Sequence, residues 1–244
     1  MRRLIFILIV FLVAAPVSRA EEVTYTLNQA QSFLNVGGAL TNNFANPQAT
    51  GSTTTNYIGT IKADRVGNTI KFIDGSVIDA LVKGNYQPNA NAQPGTSAAA
   101  DYGRQAVNNL FSTTMESLRD VTLDLASNDF ITITSGSFPS DSFRVIMDSG
   151  ESDFAYGGSG FGEVDLSGKF AVNVSSTAST IQTVGSDEVL TLHISSDPIG
   201  YNVINSGDST LTFTGTIVAT RLVPEPGSLL LALLACPLMR RPRN

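Results

Sequence analysis

The chain has 244 residues, with 21 acidic against 15 basic side chains and a net charge of −6. A single cysteine rules out an internal disulfide, and the acidic balance argues against nucleic acid or anionic lipid as partner, since either would repel the chain instead of releasing counterions to it. One histidine and no tryptophan leave little for acid–base catalysis or for broad sugar-stacking platforms.

At the N-terminus Arg2 and Arg3 precede an apolar run from Leu4 to Ala15, followed by the small-residue site Ser18-Arg19-Ala20. This pattern predicts a secretory signal peptide over residues 1–20, cleaved after Ala20. As a helix the run would rise only about 18 Å against a bilayer core of about 30 Å, which argues against an uncleaved anchor. Export through the secretion machinery is therefore expected.

Residues 21–222 are rich in Thr, Ser, Gly, Asn and Val, and their apolar residues mostly alternate. In chain order the alternation marks strands at Val23, Tyr25 and Leu27; Ile70 and Phe72; Val121, Leu123 and Leu125; Ile131 and Ile133; Phe170, Val172 and Val174; Leu190, Leu192 and Ile194; and Leu211, Phe213 and Ile217. One stretch departs from this period: Val107, Leu110, Phe111, Met115 and Leu118 recur at helical spacing and predict one short helix between Asp101 and Leu118. Ala45 to Asn56 and Pro88 to Ala100 have loop composition, and Asp74-Gly75 reads as a turn. The expected fold is all-β, an antiparallel β-sandwich or jelly-roll-like body.

Residues 57–65 and 213–221 share five of nine positions, so they mark either two related half-domains or two amphipathic strands built from the same residues. Asp148, Glu151 and Asp153 form the tightest acidic cluster, but Gly150 and Ser159 stand where an EF-hand needs ligands, so the expected state is a solvated turn. The run Tyr156-Gly157-Gly158-Ser159-Gly160-Phe161-Gly162 lacks the second glycine of a nucleophile elbow and the Gly-Lys-Ser/Thr ending of a phosphate loop, and it reads as a loop. His193 falls on the polar face of its strand beside Thr191 and Ser195, where an exposed histidine is expected. These residues supply no catalytic constellation, no cofactor site and no metal site.

The last segment, residues 223–244, carries Pro224-Glu225-Pro226, an apolar run from Leu229 to Met239, and then Arg240, Arg241 and Arg243. The triplet, run and basic end, placed behind a signal peptide, resemble the PEP-CTERM sorting signal. That resemblance implies a tail held transiently in the inner membrane until an exosortase-type enzyme cuts near the triplet and passes the body to the cell surface or extracellular matrix. The apolar run gives only about 16 Å of helix and contains Pro237, so spanning would require snorkelling arginines and local bilayer thinning. Cys236 lies in this run, which leaves a cysteine-free body, and residues 21–222 hold 9 basic against 20 acidic side chains, a net charge of −11.

The sequence thus predicts an exported, non-enzymatic surface or matrix protein whose partners are the secretion machinery, the processing enzyme and exopolysaccharide. The alternatives are a carbohydrate-binding or adhesive module, with a groove lined from among Tyr57, Tyr86, Tyr102, Tyr156 and Tyr201, and a secreted hydrolase.

Overall fold

The computed structural model describes residues 19–40, 48–49, 53–85, 99–108, 112–156, 160–203 and 207–223. In chain order the strands are β1 (Glu21–Leu27), β2 (Phe33–Gly37), β3 (Gln48–Ala49), β4 (Thr54–Val66), β5 (Thr69–Phe72), β6 (Val77–Ala80), β7 (Gly84–Asn85), β8 (Ala99–Ala100), β9 (Tyr102–Asn108), β10 (Ser112–Ala126), β11 (Ile131–Thr132) and β12 (Ser137–Phe138). After a single 3-10 turn at Ser140–Ser142 come β13 (Arg144–Tyr156), β14 (Gly160–Asp165), β15 (Phe170–Val172), β16 (Ser179–Val184), β17 (Asp187–Ser195), β18 (Ile199–Val203) and β19 (Gly207–Leu222). The described body is all-β, as its alternating pattern predicts, and contains no α-helix.

All the ladders are antiparallel, and their order shows how the sheet folds on itself. β16 pairs with β17; β17 and β18 pair with β19; β19 with β1 and β2; and these with β4. β4 then pairs with β5 and β6, β6 with β10, β10 with β9 and β13, and β13 with β14 and β15. A bridge between Asn173 and Ser196 joins the chain after β15 to the end of β17 and closes the circuit. The inward faces meet in a single sandwich-like core that includes Tyr25, Ile61, Phe72, Leu123, Val145, Leu192 and Ile217.

Two glycines let the long strands bend round this core. Gly59 sits in β4 at φ 120°, and a Cβ there would lie 1.9 Å from the Val77 carbonyl oxygen. In β19 a Cβ on Gly215 would lie 2.2 Å from the Phe33 carbonyl oxygen. Only glycine permits backbones to approach this closely. These two positions are equivalent in the nine-residue echo, and the aligned pairs Tyr57 and Phe213, Ile61 and Ile217, and Ala63 and Ala219 are all fully buried. Both segments of the echo are thus strands that meet the same bending and packing requirement.

The helix expected between Asp101 and Leu118 is not formed. Tyr102 pairs with Leu118, and the register continues to Asn108 opposite Ser112, so the segment is the β9–β10 hairpin; Leu110 and Phe111 lie outside the described residues. The helical spacing arose because Arg104 and Glu116 occupy buried strand positions, on the face of Tyr102 and Leu118, where alternation would place apolar residues. Of the two predicted loops, residues 54–56 belong to β4, while 48–49 and 99–100 form β3 and β8; the remaining positions, apart from Thr53, lie outside the described residues. At the predicted Asp74-Gly75 turn, the Asp124 carboxylate accepts the Gly75 and Ser76 N–H groups, each at 3.0 Å.

Five of the alternating strand sets turn their apolar residues wholly inward, and in the Ile131 pair Ile133 packs only partly buried on the core. One set is reversed. Phe170, Val172 and Val174 point outward at 58%, 46% and 48% exposure, while Ala171 and Asn173 between them are buried.

Candidate functional site

Pro224, Glu225, Pro226, Arg240 and Arg241 lie outside the described residues, as do Tyr86 and residues 157–159 of the glycine-rich run. Ala20 is described: it is exposed and immediately precedes β1. The two ends of the body lie side by side, with the Arg221 guanidinium 3.9 Å from the Glu21 carboxylate. Beyond Arg221, the Val223 N–H still donates to the Ser186 carbonyl at 2.9 Å. Glu188 ties the four strands of this pole together. It accepts from Tyr25 on β1, from Arg65 on β4 at 3.3 Å and from Arg221 on β19 at 2.9 Å. Burial would raise the Glu188 carboxyl, but the hydrogen bonds from Arg221 and Tyr25 and the two guanidinium charges outweigh it and hold it below the usual carboxylate range. Beside this hub an open cleft of about 480 Å3 separates the start of β1 from the end of β19.

The acidic cluster is not a solvated turn, because all three residues lie within β13. Asp148 and Glu151 are exposed, whereas Asp153 is buried and paired with Arg119. The physical reason is register: Ser117 faces Asp153 and Arg119 faces Glu151, which places the Arg119 and Asp153 side chains on one face of the sheet. Among the described residues no group of three His, Cys, Asp or Glu could hold a metal ion. His193 is half-buried on β17, less exposed than alternation predicts. Its backbone is held at both ends, the N–H by the Ser179 hydroxyl at 3.2 Å and the carbonyl by the Asn173 amide at 2.8 Å.

Tyr57, Tyr102 and Tyr201 do not line a groove. Tyr57 and Tyr102 are buried and share a hydroxyl–hydroxyl hydrogen bond, with burial raising both phenols far above their usual range. Tyr201 belongs to a second buried network, in which the Arg104 guanidinium bonds to Glu116, to the Tyr201 hydroxyl at 2.6 Å and to the Gly37 carbonyl at 2.8 Å. Glu116 in turn accepts from Ser152 and Tyr201. Arg104 and Glu116 are each 1% exposed, so their charges are satisfied internally and offered to nothing outside. Sequence reasoning missed this network; the broken alternation between Asp101 and Leu118 was its only signal.

A groove does occur elsewhere, beside the reversed strand β15. A cavity of about 150 Å3 bounded by Asn128, Asp141, Ser142, Arg144 and Phe170 adjoins one of about 420 Å3 bounded by Asn128, Asp129, Phe130 and Ser142. Asn128 and Ser142 are common to both. Phe130 is 42% exposed, and the Arg144 guanidinium lies 5.6 Å from the Phe170 ring centroid.

Both walls of the groove are pinned. Ser127 joins β5 through its N–H to the Phe72 carbonyl at 3.1 Å and through its hydroxyl to the Phe72 N–H at 3.0 Å. Ser140, opening the 3-10 turn, donates to the Thr177 carbonyl at 2.7 Å, and its own carbonyl accepts the Asn173 amide at 2.9 Å. Asn173 also accepts the Ser195 N–H at 2.7 Å, so the residue that closes the sheet circuit also fixes one wall of the groove. A buried asparagine satisfied at both ends of its amide makes such a junction rigid.

No family model matches this chain, and neither a curated protein nor a solved structure was found to be similar to it.

Proposed function

We propose that the chain is an exported, non-enzymatic component of the cell surface or extracellular matrix, delivered by a PEP-CTERM-type system. In this reading a secretory signal peptide leaves at Ala20, and an exosortase-type enzyme cuts near Pro224 to Pro226 after a transient stay in the inner membrane. The observation that carries the reading is the coincidence of the strand ladders with the two predicted cut sites: β1 begins at Glu21 and β19 ends at Leu222. Removal of residues 1–20 and of 224–244 would therefore leave every described strand whole.

The meeting of the two ends at one pole supports the same reading. A signal peptide and a sorting tail leaving from neighbouring points can occupy one membrane without the body being threaded between them. Glu188, Arg65 and Arg221 hold that pole together independently of either appendage. The commitment of Asp153 on β13 to an ion pair with Arg119 on β10 also favours a non-catalytic body.

The test is fractionation of the host expressing the chain with Glu225→Ala. The reading predicts that the altered protein accumulates in the membrane fraction while the unaltered protein is released. Equal release of both would overturn the proposed role of the triplet.

A further inference from the structure

We infer that the groove between Phe130 and Phe170 binds a neutral oligosaccharide chain. This rests on the groove alone and not on processing of the tail. The first observation is the reversal of β15, since a strand that turns Phe170, Val172 and Val174 to solvent forfeits the burial that the rest of the body uses. Two partly exposed aromatic rings stand at two neighbouring depressions that share Asn128 and Ser142.

The second observation is unused hydrogen-bonding capacity. The side chains of Asn128, Asp141 and Ser142 make no hydrogen bond within the described residues, whereas Ser127, Ser140 and Asn173 immediately behind them are fully engaged. Arg144 borders the same depression, and its Nε is buried without a hydrogen-bond partner. A carboxylate, an amide, a hydroxyl and a guanidinium offer the paired donors and acceptors that vicinal hydroxyls require. Partly exposed aromatic rings suit the C–H faces of a pyranose, whose weakly positive hydrogens meet the negative face of an aromatic quadrupole. Pinned walls mean that little ordering entropy is lost on binding.

Charge decides the class of glycan. Asp129 and Asp141 border the groove, Arg144 already lies over Phe170, and the body between the two predicted cuts carries −11. A polyuronate or sulfated chain would be repelled, so a neutral hexose polymer fits best. At these volumes the groove takes a short stretch of chain at a time.

The experiment is isothermal titration of the full chain, purified in detergent micelles, with cellohexaose, laminarihexaose, maltohexaose and hexagalacturonate. At least one neutral hexasaccharide is expected to bind, and F130A and F170A are each expected to weaken it by roughly fivefold or more. Both substitutions lie on exposed side chains, and thermal melts of the variants within a few degrees of the parent show that the fold is kept. Three results would overturn the inference: no binding of any neutral probe, binding unchanged by either substitution, or tighter binding of hexagalacturonate than of all three neutral chains.

Discussion

The two ends of the interior are built on different physics. Around β1, β4, β5, β17 and β19 the core beneath the Glu188 hub is hydrocarbon, built from Val23, Ile61, Ile70, Phe72, Leu190, Leu192 and Ile217. Around β9, β10, β13 and β18 the interior instead carries the Arg104–Glu116–Tyr201–Ser152 network, and the Arg119–Asp153 pair is buried close by. The hydrocarbon end gains by removing apolar area from water, at about 25 cal/mol per Å2, and tolerates swaps of similar volume. The ionic end gains far less in net terms, because the desolvation of each charge offsets most of the attraction. Its groups hold one another in a single arrangement, and the removal of one strands the rest.

The largest expected effect breaks the ionic end directly. Glu116→Ala leaves the Arg104 guanidinium buried without its carboxylate and should cost about 3–5 kcal/mol in urea unfolding. Replacing both partners together, Arg104→Met with Glu116→Leu, should cost much less than the single change, because no charge is then stranded. A double change as damaging as the single one would mean that the network is not the source of the loss.

The next effect tests the hydrocarbon end, where a bend and not a charge is critical. Gly215→Ala must displace the Phe33 carbonyl and should cost roughly 2–4 kcal/mol by the same unfolding measurement. Gly59→Ala should behave alike, since Val77 stands where Phe33 does. Similar losses at the two sites would sharpen the equivalence of the echo, whereas a neutral change at either would break it.

The smallest effect is a pH slope. Burial pushes the Asp101 carboxyl up to about 6, against the lowering effect of the Val121 N–H that it accepts at 2.9 Å. The folded state therefore holds this proton more tightly than the unfolded chain. Its contribution is complete below the unfolded value of about 4 and is lost as pH rises through about 6. Glu188 has the opposite sign: its contribution is present above the unfolded value and is lost as pH falls through the depressed folded one. Asp101→Asn should remove the first slope, so the parent's melting temperature should fall relative to the variant's between about pH 4 and pH 6. Parallel melting curves across that window would contradict the assignment.

The hydrocarbon end was legible in the sequence because its strands obey one rule. Tyr25, Phe72, Leu192 and Ile217 each fall on an alternating apolar face and are each buried. The ionic end was illegible for the same reason inverted, since Arg104 and Glu116 occupy core positions and their polarity erased the period-2 signal, leaving a false helical one. The groove was illegible in a third way. The alternation of Phe170, Val172 and Val174 was visible, but alternation does not state which face turns outward; that depends on Asn173 bridging to Ser196, a contact between segments far apart in the chain. The tyrosines drew attention as polar aromatics, yet Tyr57, Tyr102 and Tyr201 use their hydroxyls inside the protein. The terminal signals were legible as local patterns, and the fold adds that the body between them begins and ends in neighbouring strands.

That neighbourhood gives the most direct test of the central claim, that the body is delivered by removal of both ends. The measurement is the intact mass of the protein recovered from the membrane and extracellular fractions of its own host. The account predicts an extracellular species beginning at Glu21 and ending between Pro224 and Gly227. An extracellular species that still carries Leu229 to Asn244 would contradict it.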